Sequence, residues 1–152
     1  MADGTNDPMI AVAILDSHAA RVGTELVVRT GDPESDARAL FELNAVILSH
    51  DGGEDPHFVY ANKAAAELWR MPVTELIGMP SRLSAPSEHQ ASRAAMLKDA
   101  AGSGVLRGYS GERIAKDGTR FMIEDATLWT VDYPMGPGQA VVFTTWTELP
   151  KQ

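Results

Sequence analysis

The chain has 152 residues, with 13 basic and 21 acidic side chains and a formal net charge of −8. That length suits one domain with a sizeable core, and the acidic balance gives no general attraction for phosphate backbones or anionic lipid. Cysteine is absent, which removes disulfides, thiolate metal sites, a cysteine nucleophile and any cysteine-linked chromophore.

Residues 1–8 read as a flexible polar tail without the basic and then apolar pattern of a secretory leader. No run approaches the ~20 apolar residues of a membrane span, so a cytoplasmic location is the default expectation. From Met9 to Val22, Ile10, Ile14 and Leu15 share one helical face, and Gly23 ends the helix. This helix either packs on the domain or serves dimerisation; packing is the reading adopted. With the loop behind it, it makes an N-terminal segment over residues 9–34, ahead of a main domain at 35–148.

Asp36 to Leu43 reads as a short helix, and Ala45 to Leu48, followed by Ser49 and His50, as a buried strand. A turn at Asp51-Gly52-Gly53 leads to a second strand at Phe58–Tyr60. Asn62 can cap the next helix, in which Ala65, Leu68 and Trp69 share a face and which Pro72 stops. One more turn ends at Gly78, and Met79–Pro86, with Ser81 and Arg82, is irregular. Ser87 and Gln90 have capping-box spacing before an alanine-rich helix that runs to about Ala101. The last third is β: Tyr109–Lys116, a two-residue Asp117-Gly118 turn, Thr119–Val131, a Pro/Gly-rich turn, and Gln139–Thr147. The fold class expected is α+β: a five-stranded antiparallel sheet with helices on one face and an N-terminal helix.

A two-residue turn would pair Ile114 with Phe121, Glu112 with Ile123 and Ser110 with Asp125. That face also carries Thr127 and Trp129, and its apolar members turn it toward the helices. Arg113, Glu124, Ala126, Leu128 and Tyr109 then fall on the other face, with Arg113 and Glu124 as a solvated ion pair. Ser110, Asp125 and Thr127 would be buried polar groups, each needing a partner. Either they satisfy loop and helix-end backbone groups, or they line a ligand cavity. Glu112 fits this face only if its strand lies at the sheet edge.

The segment Tyr60–Trp69 with Thr74-Glu75-Leu76-Ile77-Gly78 resembles the front half of a PAS domain. A narrower likeness is to the MEKHLA family. It is carried by Ser49-His50, Asn62, Leu68-Trp69, Pro80-Ser81-Arg82, Gly108-Tyr109-Ser110-Gly111, Arg113-Ile114, Gly118, Arg120-Phe121, Trp129, Gln139 and Trp146. The resemblance implies a PAS-like fold and a role in sensing or regulated association, and brings no ligand or reaction with it. Members occur as stand-alone bacterial proteins and as C-terminal domains of plant homeodomain–leucine zipper transcription factors. The homeodomain and zipper are not in this chain, so DNA binding does not carry over.

Three functions are weighed. The first is a sensory domain binding a small organic ligand with an anionic group. Its site would use Asn62, Trp69, Arg82, Ser110, Asp125, Thr127 and Trp129, with Arg82 pairing the anion and His50 near the mouth. The second is a cofactor-independent enzyme using His50, Asp125 and Tyr109 in acid–base chemistry. The third is a homodimerising interaction module that acts without a ligand. The cofactor is left unknown. Haem is disfavoured because His89 reads as a surface residue, non-covalent flavin has no support, and the four histidines show no zinc-like spacing.

Overall fold

The structure, a computed structural model, describes residues 7–150. The expected tail at residues 1–8 lies outside this range save for its last two residues, and these start a helix. Asp7 caps α1 (Pro8–Arg21) by accepting from the Met9 N–H. Helix α2 (Pro33–Glu42) is capped by Asp32. Strands β1 (Val46–His50) and β2 (Phe58–Ala61) follow, then helices α3 (Lys63–Trp69) and α4 (Val73–Leu76). Two short 3-10 turns precede α5 (Gln90–Ser103). Strands β3 (Val105–Ile114), β4 (Arg120–Tyr133), β5 (Gly136–Phe143) and β6 (Thr145–Glu148) end the chain. The expected capping box is not formed: Ser87 makes no side-chain cap, and Gln90 Nε2 donates to the Ala85 carbonyl instead.

The sheet is antiparallel in the order β2-β1-β5-β4-β3, and β6 prolongs the line of β5 along β4. This is the expected architecture. Helices cover both faces. Helices α3 and α4 lie over Val46, Leu48, Phe58, Phe121, Ile123 and Phe143. On the opposite face α1 and α2 cover Ile47, Tyr60, Trp129, Val131 and Tyr133, with Ile14, Leu15 and Leu40 fully buried between the layers. The N-terminal helix is thus a packing element. Its His18 ring stands edge-on to Trp129 at 4.7 Å between centroids.

Asn62 joins three elements at one point. Its Oδ1 accepts from the Ala65 N–H, capping α3, and from the Ile47 N–H of β1. Its Nδ2 donates to the Ala45 carbonyl at 2.8 Å and approaches the Leu40 and Leu43 carbonyls at 3.4 Å. The capping role is as expected; the pocket role is not, because every polar atom of this buried side chain is taken up by backbone.

The β3–β4 hairpin departs from the expected register. Gly118 N donates to the Ala115 carbonyl and Ala115 N to the Thr119 carbonyl, closing a three-residue loop of Lys116, Asp117 and Gly118. Gly118 has φ +89°, the left-handed position such a loop requires. The loop is held from outside. Lys116 N donates to the Trp69 carbonyl at the end of α3, and Arg70 reaches Asp117 and Thr119. The longer loop moves the pairing by one residue, so Arg113, not Ile114, faces Phe121. A one-residue slip exchanges the faces of a strand.

A second irregularity follows. Between Tyr109↔Ala126 and Gly111↔Ile123, β4 carries one extra residue; between Leu106↔Leu128 and Tyr109↔Ala126 the extra residue is in β3. Asp125 at φ +51° and Gly108 at φ +69° supply these two bulges, which cancel in register. Each switches its strand's inward side. Phe121 and Ile123 face α3 before the bulge and Ala126 after it, while Trp129, Val131 and Tyr133 turn toward α1.

Asn62→Ala should lower unfolding free energy by about 3 kcal/mol in urea denaturation, since it removes a cap and orphans the part-buried Ala45 carbonyl and the buried Ile47 N–H. Asp125→Gly should leave stability unchanged or raise it by up to about 1 kcal/mol, because glycine adopts a positive φ without strain.

Candidate functional site

Between α5 and the sheet lies a small, partly open cavity of about 30 Å³. Its apolar wall includes Leu48, Trp69, Met96, Ile123, Leu128 and Phe143; its polar wall is His50, Arg93, Tyr109, Arg113 and Gln139. Outside, an open groove of about 880 Å³ runs between α5, the loop after β1 and the start of β5. His50, Arg93, Leu97 and Gln139 line both spaces and so form the wall between them.

Helix α5 explains Arg93. Arg93, Leu97 and Ala100 recur at helical spacing, and all three are buried. Arg93 is 7% exposed, and its Nε has no hydrogen-bond partner among the described residues. Burial and the like charge of Arg113 push its pKa down to about 9, which leaves it protonated at neutral pH. Arg113 is equally buried. Its Nη1 donates to the Glu112 carbonyl and its Nη2 to the Tyr109 hydroxyl at 3.1 Å, with the guanidinium 5.5 Å from the Tyr109 ring centre. Among the described residues neither arginine is ion-paired; the carboxylates nearby serve surface cations. Gly111 makes the Tyr109–Arg113 contact possible, since a Cβ there would lie 2.2 Å from the Tyr109 oxygen.

His50 ends β1 at the cavity wall. Its Nδ1 donates to the Asp51 carbonyl at 2.7 Å, so in the neutral ring Nε2 is an acceptor, and that buried nitrogen has no partner. Burial drives its pKa down to about 4, opposed by the Asp51 carbonyl and assisted by Arg93. Gln139 Nε2 donates to the Leu97 carbonyl and ties α5 to β5. The wall therefore presents a donor without an acceptor and an acceptor without a donor, beside two positive charges without a counterion.

Of the residues expected to bind ligand, Trp69 lines the cavity, and its Nε1 donates to the Ser84 carbonyl. Arg82 lines the outer groove, exposed and paired with Asp55 at 3.1 Å. The others lie elsewhere. Asn62 is a structural knot, Ser110 and Asp125 are exposed, and half-buried Thr127 pairs with Val142. Trp129 packs under α1 on the other side of the sheet. The bulge at Asp125 is the reason, because alternation read straight through it assigns Thr127 and Trp129 to the wrong face. The expected solvated Arg113–Glu124 pair is likewise replaced by a buried Arg113. His50 and Tyr109 share the cavity, but Asp125 is not brought to them. Glu112 does lie on an edge strand, where it accepts from Arg120 and meets His89.

Sequence reasoning missed Arg93, Arg113 and Gln139. The spacing of Arg93 with Leu97 and Ala100 was a usable signal; Arg113 had none without the true register. Among the described residues no cluster of His, Asp and Glu is suited to a metal ion, and no helix is long and apolar enough to cross a membrane. A benzene-sized guest needs roughly 150 Å³, so the cavity in this form does not fit a flavin ring system or a haem.

The MEKHLA domain matches residues 9–148, and the chain belongs to that family. No curated protein matches it. Among solved structures it is similar to the PAS domain of a Colwellia psychrerythraea protein, at 18% identity and a TM-score of 0.61 over 72% of this chain and 92% of that one. An RNA-binding light-oxygen-voltage receptor matches at 21% identity and a TM-score of 0.61, over 83% of this chain and 35% of the receptor. A fungal light-oxygen-voltage domain photoreceptor matches at 19% identity and a TM-score of 0.58, over 91% and 90%. The fold is that of a PAS domain.

The His50 ring gives a pH test. The unfolded chain takes up this proton near pH 6.5, whereas the folded chain resists it down to about pH 4. The stability contributed by the neutral ring is intact above pH 6.5 and is lost as the pH falls toward 4, by about 3 kcal/mol in total. Denaturant titrations from pH 7 to 4 should show a steeper loss in the wild type than in His50→Gln. His18 titrates in both proteins and cancels in the difference, so parallel profiles would refute the assignment.

Proposed function

We propose that the chain is a regulatory domain that binds a small organic molecule where the outer groove meets the small cavity. One observation carries this reading: Arg93 and His50, each with a buried side-chain nitrogen that has no partner among the described residues, line the same cavity. Leaving either group unsatisfied costs roughly 1–3 kcal/mol, more for a charged one, and a bound molecule removes that cost. The cavity itself holds little more than water, so the ligand's polar end seats at Arg93 and its body extends into the groove. Kinship with PAS domains, two of them described as light-oxygen-voltage receptors, supports a sensory role by analogy.

Binding at Arg93 acts on α5, and through Gln139 on β5, whose Ala140 and Val142 lie beneath α1. The output then passes to a partner protein or to a second copy of the chain. A catalytic reading through His50, Tyr109 and Asp125 finds no support in the geometry, since exposed Asp125 does not line the cavity that the other two share.

Native mass spectrometry of the chain purified from cell extract should show an added small mass that is lost on denaturation. Leu97→Trp, which fills the wall between groove and cavity, should abolish it without unfolding the protein. If the wild type gains no added mass and is not thermally stabilised by any member of a broad metabolite library, the reading is wrong.

A further inference from the structure

We propose that the site takes a small 2-hydroxy carboxylate, its carboxylate against the Arg93 guanidinium and its hydroxyl donating to His50 Nε2. The inference rests on the ligand-binding reading above and names its chemistry.

The charge balance comes first. Arg93 and Arg113 are 7% and 6% exposed, and no carboxylate pairs with either among the described residues. A buried cation without a counterion is among the most costly arrangements a fold can keep. Water can satisfy Arg93 Nε and His50 Nε2, but it leaves the charge unbalanced. An anion balances it, and a carboxylate matches the planar guanidinium. Arg113 already donates to the Glu112 carbonyl and to Tyr109, so Arg93 is the residue left open.

His50 then narrows the choice. With its proton on Nδ1, held by the Asp51 carbonyl, the ring offers a lone pair to the cavity. A carboxylate oxygen alone would be repelled by it, so the ligand must bring a proton donor beside its carboxylate. An ammonium would meet the two arginines; a hydroxyl adds no charge. The ligand body then faces Ala91, Ala94 and Leu97 of α5 along the groove.

The test is calorimetric titration of the full chain with a matched series: mandelate, phenylacetate and mandelamide, with lactate, propionate and lactamide as smaller counterparts. Mandelate or lactate should bind. The deoxy acids should bind about tenfold more weakly, and the amides should show no saturable binding. His50→Phe should erase the preference for hydroxy acids over deoxy acids. Arg93→Met should weaken all acids by at least about tenfold, with circular dichroism and melting temperature as fold checks. If that variant does not fold, the acid-to-amide ratio on the wild type decides alone.

Amides that bind as well as acids would overturn the anion, and deoxy acids that bind as well as hydroxy acids would overturn the role of His50. If none of the six binds but the chain retains another small molecule, the ligand class is wrong and the ligand-binding reading stands. If nothing binds by either route, both fall and water fills the site.

Discussion

Two residues in left-handed conformation, Asp125 and Gly108, determine which helices the long strands β3 and β4 touch. They sit on neighbouring strands, and each adds one residue to its own strand. Because side chains alternate with period two, each addition exchanges the two faces of everything beyond it. The first part of β4 thus supplies Phe121 and Ile123 to the layer under α3, while its end supplies Trp129, Val131 and Tyr133 to the layer under α1. One strand builds two cores. Without the bulges Trp129 would enter the cavity, and α1 would meet Leu128, Thr130 and Asp132 in place of Trp129, Val131 and Tyr133.

The same geometry admits charge to the interior. The three-residue loop at Lys116–Gly118 brings Arg113 inward, and the helical repeat of α5 brings Arg93 down beside Leu97. Natural cores seldom hold two cations without a counterion. Arg113 is partly compensated by the Tyr109 ring and hydroxyl and by a carbonyl, an arrangement that depends on the missing Cβ of Gly111. Arg93 is not compensated, and it stands where the cavity meets the groove.

Fixed polar contacts hold the rest of the domain rigid around that point. Asn62 locks β1, the α2–β1 connection and the start of α3 together. Ser49 bonds to the Tyr133 hydroxyl and the Gln139 carbonyl, tying β1 to β4 and β5. By contrast, α5 is joined to the sheet by apolar packing, by Gln139 and by Arg93 itself. A new partner at Arg93 therefore acts directly on α5.

The resemblance to a known family supplied the PAS-like architecture; the linear pattern was enough for the order of elements, the cap at Asn62 and the turn glycines. Each of these rests on local propensity or on hydrophobic period, which neighbouring residues carry. His50, Tyr109 and Trp69 were within reach because they end or border such elements. Which side chains meet at the cavity was not within reach. That depended on one recruited N–H at Lys116, drawn to the Trp69 carbonyl of a distant helix, and on one backbone angle at Asp125. Both are set by long-range contacts, and a shift of one residue turns an outward arginine into a buried charge. The polarity expected on the inner face was real, but folding placed it on Arg93, Arg113 and His50 instead of Ser110, Asp125 and Thr127.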